Sequence, residues 1–308
     1  MTAVYIIADL EGSTGCLQRS DAQLFNDGWV HACVELSHDI NLIGRRLLHA
    51  GARRVRVKDF HRTGFNLFRE LIDRRIELEQ GYQAGPVPGL GDVSGFDCLM
   101  MTGMHAVSGS DGFLPHTLTS RFAAIEVNGL LLSEAELFAA SVASAGLAVV
   151  FFSGCPIACG QAIDKMPWLQ SFIVSKPLAD RPEILRQQIA DAAAQAFMST
   201  AGQIYQPTGP FATRIKMRDG ESAAARLRKM WRLDGNGNEL SFSCPDMQAL
   251  YLQMIRLAYL SPFIEAHLAF SLKVANISGR LTHMWARRRA IQKNLLPISS
   301  RETKSRCR

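Results

Sequence analysis

The segment YIIADLEGSTG, residues 5–15, places two carboxylates and two glycines directly after an apolar run. The run from Val4 to Ala8 is short and apolar, which predicts a strand that is buried on both faces. Asp9 and Glu11 follow at the end of this strand. Because they stand two positions apart in an extended segment, both side chains leave the chain on the same side and can converge on one point.

The composition indicates a globular protein with a core of its own. The chain has 308 residues, enough for one large α/β domain or two modest ones, and 47% of them are hydrophobic. Its seven cysteines lie in apolar contexts and lack zinc-ribbon spacing, so we expect most of them to be reduced thiols in the core. The first residues enter a strand without a basic and apolar leader, and no run of about 18 uncharged apolar residues follows. We therefore expect a cytoplasmic protein without a transmembrane segment.

The formal net charge of +6 arises at the C-terminal end of the chain. Residues 280–308 contain nine Lys and Arg residues against one acidic residue, Glu302, so the rest of the chain is slightly acidic. A near-neutral body of this kind does not indicate a nucleic-acid-binding protein. The basic tail leaves open a contact with a partner or with an anionic surface.

Segments typical of strands and of helices alternate along the first 200 residues. The predicted strands are residues 4–8, 54–60, 97–103, 123–129 and 147–154. The predicted helices are residues 28–50, 66–77, 133–146 and 183–200. The first helix stops at Gly51, and the third begins with Ser133 as its cap and Glu136 in its first turn. This alternation predicts an α/β fold with a mostly parallel sheet flanked by helices.

The sequence of the second part of the chain predicts a second, smaller layer of alternating strands and helices. Strand, helix, strand and helix are predicted at residues 211–218, 221–231, 239–244 and 246–261, which form a second βαβα layer. The residues beyond 262 predict an appended C-terminal helix with a basic end. We therefore expect a catalytic α/β domain at 1–200, a βαβα subdomain packed on it at 201–262, and a basic C-terminal extension at 263–308.

Polar side chains cluster where the predicted strands end. In an open α/β sheet, ligands bind beyond the carboxyl ends of the strands. Asp9 and Glu11 follow the first strand, and the sequence KDFH places Asp59 and His61 after the second. The third strand runs into TGMHA, and a Gly-rich loop continues from there. The further candidates from this region onward are His105, His116 and Glu134.

Three carboxylates with two or three imidazoles are the ligand set expected for a hydrolytic zinc site. With Asp9 as a bridge, the set suffices for two metal ions about 4 Å apart, which could activate a water and polarise a carbonyl. A metal would also explain carboxylates at the end of a buried strand, which are costly unless paired or metal-bound.

Each candidate also has a simpler interpretation when it is taken alone. Asp9 could cap a turn, and His61 or His105 could be a half-buried, hydrogen-bonded residue. Glu134 could be an acid favoured by a helix N-terminus. The glycines of EGSTG match neither GxGxxG nor a P-loop. Only the joint occurrence of these residues favours a metal site.

The other histidines and the pair Cys155 and Cys159 are weaker candidates for a functional site than this set. The histidines at 31, 38, 49, 267 and 283 fall in the first long helix or in the C-terminal extension, and we interpret them as structural or solvated. Cys155 and Cys159 in SGCPIACG are four residues apart, which could suit a soft metal or a nucleophile. They lie in a small-residue turn without a neighbouring histidine, which favours packed thiols.

Taken in order, these motifs resemble the zinc-dependent D-aminopeptidase family associated with dipeptide-transport operons. The matching segments are DLEG at 9–12, KDFH at 58–61, TGMHA at 102–106, His116, and VNG followed by SE between 127 and 134. The resemblance runs from about residue 3 to residue 262. It implies an α/β fold, a ring-shaped decamer, and removal of the N-terminal residue from short peptides, with a preference for D-amino acids in the type member.

The resemblance also implies the roles of individual residues. It makes His116 the catalytic histidine and implies two Zn²⁺ ions per subunit. The implied zinc ligands are Asp9, Glu11, His61, His105 and Glu134.

The chain departs from the family in three places. It has SGCP at 153–156 where the family has an acidic turn, the segment after Ile173 is short and keeps only Lys176 of the usual pattern, and the tail from about residue 263 has no family counterpart. Two alternatives therefore remain open beside the zinc aminopeptidase. One is a specialised metal-dependent amide or ester hydrolase of a biosynthetic pathway, and the other is a non-catalytic ring scaffold with a basic tail.

Overall fold

The computed structural model describes residues 2–176, 182–199 and 201–297. The strands are β1 (Ala3–Ala8), β2 (Arg54–Asp59), β3 (Glu77–Glu79), β4 (Cys98–Met104), β5 (Phe122–Val127), β6 (Leu130–Leu131), β7 (Ala148–Gly154), β8 (Gln170–Ile173), β9 (Phe211–Met217) and β10 (Glu239–Cys244). The helices are α1 (Asp27–His49), α2 (Glu134–Ser141), α3 (Pro156–Lys165), α4 (Pro182–Met198), α5 (Glu221–Trp231), α6 (Met247–Tyr259), α7 (Pro262–Ala266) and α8 (Leu268–Gln292). The end of the basic tail and most of the proline-containing stretch before α4 lie outside the described residues.

A six-stranded parallel sheet in the order β3-β2-β1-β4-β7-β8 forms the centre of the molecule. Every residue of β1 and of β4 is buried, as the apolar runs predicted. Ala8, the last residue of β1, is in register with Asp59 on one side and Thr102 on the other. The carboxyl ends of β1, β2 and β4 therefore meet at one edge, and the chain segments that follow them are neighbours.

The two faces of this sheet belong to two separate cores. Val4 and Ile6 pack with α1, α4 and α8, whereas Tyr5 and Ile7 pack with α2, α3 and the second sheet. This alternation is the period of two that a strand imposes on its side chains. The predicted α/β fold, with helices on both faces of a mostly parallel sheet, is confirmed.

The fourth predicted strand forms, but it belongs to a different sheet. β5 pairs antiparallel with β9, with Ile125 opposite Ile215, in a four-stranded sheet of the order β10-β9-β5-β6. Asn128 and Gly129 both have positive φ and turn β5 back into β6, which is the Asn-Gly hairpin signal. The alternation of strands and helices predicts a strand of the parallel sheet at 123–129, and this assignment is wrong. The second layer nevertheless has the predicted order β9, α5, β10, α6, and the division at residues 200 and 262 stays a prediction.

Two other local predictions were wrong. The helix expected at 66–77 is a loop with a single 3-10 turn, Arg69–Leu71, followed by β3. The Asp59 carboxylate accepts hydrogen bonds from the backbone N–H groups of Asn66 and Leu67, and this holds the segment as a loop. The SGCP turn is instead the start of α3, with Pro156 in its first turn, where proline favours a helix.

The C-terminal helix α8 lies against the body of the protein through small residues. Its buried positions are Gly279, Thr282, Ala286 and Ala290. The Arg289 guanidinium forms an ion pair with Asp27 at the start of α1, with an N–O distance of 2.7 Å. Among the described helices, none combines the length and the apolar character that crossing a bilayer requires.

Glycine is required where the strand ends approach each other. A Cβ at Gly103, whose φ is +73°, would lie 2.0 Å from the carbonyl oxygen of Asp9. Gly95 has nearly the same backbone, with φ of +74°, but a Cβ there would meet nothing within 4 Å. The two positions share backbone strain and differ in crowding.

We expect Gly103→Ala to lower the free energy of unfolding by about 1–3 kcal/mol more than Gly95→Ala, because only the first substitution overpacks the sheet edge. Urea denaturation followed by circular dichroism measures both variants. Equal losses would show that crowding at the strand ends does not require glycine.

Candidate metal centre

Six of the candidate side chains meet at the carboxyl ends of the central strands. Asp9 and Glu11 follow β1, His61 follows β2, and His105 follows β4. His116 comes from the long loop between β4 and β5, and Glu134 is the first residue of α2. The six side chains form two groups of possible metal-binding residues, and the ligand atoms of each group lie within 4.8 Å of one another.

The first group consists of Asp9, Glu11 and His61. The Nδ1 atom of His61 lies 2.9 Å from Oε2 of Glu11 and 3.3 Å from Oδ1 of Asp9. Its other ring nitrogen, Nε2, lies 3.2 Å from the carbonyl oxygen of Ala22 and can only donate to it. That contact orients the ring and leaves Nδ1 facing the carboxylates, as the outer partner of a metal-binding histidine does.

The second group consists of His105, His116 and Glu134. The Nε2 atom of His105 lies 3.3 Å from Oδ2 of Asp9 and 3.5 Å from Oε1 of Glu134, yet it is buried and forms no hydrogen bond. Nδ1 of His105 donates to the carbonyl of Ala106 at 3.1 Å, so in the neutral ring Nε2 carries a lone pair. A buried nitrogen lone pair that points at two carboxylates matches a position where a cation would lie.

Asp9 contacts both groups. Its Oδ1 faces His61 and its Oδ2 faces His105. A carboxylate that offers one oxygen to each group is in the position of a bridging ligand.

Burial makes the charge of this cluster costly. Asp9, Glu11 and Glu134 are only 5%, 4% and 6% exposed. Burial and the neighbouring Glu11 carboxylate raise the pKa of Asp9 to about 7. Three carboxylates this close cannot all ionise in a dry site without positive charge beside them.

The pKa values of the two inner imidazoles are also raised, because the carboxylates favour the protonated rings. Burial disfavours the protonated ring of His61, but Glu11 and Asp9 outweigh it and raise the pKa of His61 to about 10. Burial likewise opposes protonation of His105, and Glu134 and Asp9 raise its pKa to about 10. Without a cation the cluster therefore holds protons. The oxygen and nitrogen donors suit zinc, so the residues present fit such an ion.

His116 differs from the other five residues. Its side chain is 22% exposed, against 1–7% for the others. Its Nδ1 donates to the carbonyl of Leu114 at 2.9 Å, and its ring stacks on that of His105 with centroids 3.7 Å apart. Burial and the His105 imidazole lower the pKa of His116. The Nε2 lone pair is therefore available at the cluster, 3.9 Å from Oε1 of Glu11.

Asp59, which the sequence placed beside His61 at the same strand end, does not reach the cluster. Its carboxylate accepts from the side-chain amide of Asn66 at 2.8 Å and from the backbone of Leu67 at 3.0 Å. Asn66 in turn donates to the carbonyl of His61 at 2.7 Å. Asp59 therefore holds the loop that carries His61.

The cluster opens into a cavity of about 750 Å³. Its wall includes residues that the sequence analysis did not identify, namely Arg19, Arg62, Tyr82, Arg218 and Tyr259. They come from loops and from the second layer, and no motif marks them. Lys176, which the sequence analysis noted, instead donates to the carbonyls of Ser13 and Cys16 and so fixes the loop after Glu11.

Two guanidiniums of the wall are held in place by the backbone. Nε of Arg62 donates to the carbonyl of Ala22 at 2.6 Å, and Nε of Arg218 donates to the carbonyl of Ser120 at 3.0 Å. The acidic residue beside them, Asp219, forms an ion pair with Arg121 at 2.7 Å. The cavity wall therefore carries guanidinium groups of fixed orientation near the carboxylates of the cluster.

Cys155 and Cys159 show no sign of activation. Both are buried, and the thiol of Cys159 donates to the carbonyls of Gly154 and Phe172 at 3.5 and 3.4 Å. Burial raises the pKa of Cys159 to about 12. This environment agrees with packed thiols.

Comparison with known proteins places the chain beside peptidases. A family model described as D-aminopeptidase matches residues 2–256. A solved structure described as the zinc-dependent D-aminopeptidase DppA from Bacillus subtilis, a self-compartmentalizing protease, is similar in fold with a TM-score of 0.76 and 17% identity. The similarity covers 84% of this chain and 97% of that one. No curated protein matches the sequence.

Proposed function

The chain belongs to the D-aminopeptidase family, and on this basis we propose that it is a dinuclear zinc aminopeptidase, which removes the N-terminal residue from short peptides, including peptides of D-amino acids. The observation that carries the proposal is the pair of buried ligand groups that share Asp9. Neither group would be stable as a set of bare charges in a dry site.

The proposed ligands divide along the contacts of Asp9. Glu11 and His61 would hold one zinc ion, His105 and Glu134 the other, and Asp9 would bridge them. Zinc in such a site acidifies water and polarises a carbonyl group. The N-terminal amine of a bound short peptide would be attracted to the carboxylates of the cluster.

We propose that His116 transfers the proton from the attacking water to the leaving amine. Hydrolysis of a peptide requires a water to lose a proton and the leaving amine to gain one. The Nε2 atom of His116 carries a lone pair, faces the cluster and is the most exposed of the six groups. These properties suit a group that accepts a proton and donates it again.

The cavity wall favours a peptide with a free C-terminal carboxylate. Arg62 and Arg218 each use Nε on a backbone carbonyl, which leaves their terminal nitrogens for a ligand. A guanidinium held in this way recognises a carboxylate through two parallel hydrogen bonds. A cavity of about 750 Å³ accommodates a short peptide.

We further propose that the chain forms a homo-oligomer in the cytoplasm. The similar solved structure is described as self-compartmentalizing, and a decamer is what the family resemblance implies.

Metal content tests the ligand proposal directly. Protein purified without chelator should contain about two zinc ions per chain and should hydrolyse D-Ala dipeptides. Asp9→Ala should lose both ions because it removes the bridge, His61→Ala should lose about one, and His49→Ala on the surface should lose none. Elemental analysis measures each, and zinc-free wild-type protein that cannot be reconstituted would overturn the proposal.

His116→Ala should lower kcat by about 10²–10⁴-fold while the zinc content stays at the wild-type level, because a proton-transfer group is lost and no ligand is. Steady-state kinetics and elemental analysis on one preparation make the comparison. A parallel loss of zinc would assign His116 to the ligands instead.

Arg218→Gln should raise KM for a dipeptide about tenfold or more and leave KM for the corresponding dipeptide amide nearly unchanged, because only the acid pairs with the guanidinium. Arg226→Gln, on the exposed face of α5, is the matched control. An equal effect on both substrates would remove Arg218 from carboxylate recognition.

A further inference from the structure

A row of apolar side chains lies exposed along α8, outside the residues that the family model matches. The row, here called the α8 stripe, consists of Phe270, Val274, Ile277, Leu281 and Met284, which are 67%, 49%, 47%, 60% and 49% exposed. Successive members are four, three, four and three residues apart. This is the spacing of the core positions of a coiled coil.

The α8 stripe points away from the body of the protein. The opposite face of α8 carries the buried residues Gly279, Thr282, Ala286 and Ala290. The stripe therefore faces solvent and is accessible to a second helix. Trp285 borders the stripe, where its ring stacks on Trp29 and contacts the edge of Phe25.

We propose that the α8 stripe is a contact between two copies of this chain, with the two α8 helices packed side by side and parallel. A strictly two-position stripe is the narrow seam of a helix pair, whereas a helix lying in a membrane surface has a wider apolar face. The exposed parts of the stripe residues and Trp285 amount to on the order of 600 Å² per copy, close to the roughly 800 Å² per partner of a standard interface.

The flanking residues favour a second copy in parallel orientation. One side of the stripe carries Lys273, Arg280 and Arg287, and the other carries Ser271, Ser278 and Trp285. In a parallel pair each side meets the other, so Lys273 faces Ser278 of the second copy and Arg280 faces its Trp285. The second contact is a cation–π pair. An antiparallel pair would instead set the basic sides against each other.

Several basic residues of α8 and its C-terminal end form ion pairs within the chain. Arg287 pairs with Glu70, and Arg289 pairs with Asp27. Lys293 also pairs with Asp27, at 2.9 Å. These contacts turn basic groups toward the body and away from an anionic surface. Residues 298 to 308 contain two apolar side chains, Ile298 and Cys307.

The first test is the particle mass of the full-length protein. The double variant Ile277→Glu/Leu281→Glu places charge in the centre of the stripe and should reduce the mass by at least a factor of two. Met198→Glu, an apolar residue of α4 that is 63% exposed, is the control and should leave the mass unchanged. Analytical ultracentrifugation measures the masses, and circular dichroism verifies that each variant is folded.

An unchanged mass in the folded double variant would overturn the proposal. Sedimentation of the wild type, but not of this variant, with phosphatidylglycerol vesicles at unchanged mass would assign the stripe to a lipid surface and overturn it as well.

The second test determines the orientation. In a Cys307→Ser background, Phe270→Cys should form a disulfide between two identical chains under mild oxidation, because equal positions meet in a parallel pair. A mixture of Phe270→Cys and Met284→Cys chains that forms only the mixed disulfide would show an antiparallel pair and overturn the parallel arrangement. Gel electrophoresis without reductant reads both results.

Discussion

The structure depends on the cost of burying charge at one edge of its parallel sheet. Asp9 and Glu11 belong to one group of ligand atoms, Glu134 contacts the same His105 nitrogen as Asp9, and all three carboxylates are almost completely removed from water. Such an arrangement is stable only if protons or cations neutralise it. In the chain alone, protons meet this requirement, and the pKa values of Asp9, His61 and His105 are raised for that reason. The proposed zinc pair would meet it with two divalent charges.

The surroundings of the cluster are built to hold it in place. Asp59 and Asn66 fix the loop of His61, and Lys176 fixes the loop that follows Glu11. Gly103 allows the end of β4 to approach Asp9 closely. None of these residues belongs to the cluster, yet each determines where a member of the cluster lies. A site of this kind is preorganised by backbone contacts rather than by the ligands themselves.

The C-terminal helix α8 is an addition to the family core that still reaches the cavity. The side chain of Asn276 both donates to and accepts from the backbone of Tyr82, with distances of 2.9 Å, and Tyr82 lines the cavity. His283 donates to the carbonyl of Phe65 at 3.1 Å. α8 therefore contacts the cavity wall on one face and exposes the α8 stripe on the other. A contact between two copies through this helix would lie next to the cavity wall.

The sequence by itself determined the elements with strong local signals. The buried runs of β1, β2, β4 and β7, the periodicity of α1 and the spacing of Asp9 and Glu11 are properties of short segments, and the cluster followed from the rule for strand ends. The Asn-Gly hairpin after β5 breaks the alternation of strands and helices, so the alternation assigns β5 to the wrong sheet. The start of α3 contains small residues and Pro156, which are typical of a turn as well as of the first turn of a helix. Only the tertiary structure decided that Asp9 divides its two oxygens between His61 and His105, that Asp59 is a support, and that Arg62 and Arg218 line the cavity. These facts depend on segments far apart in the chain, whose meeting is set by packing and not by any local pattern.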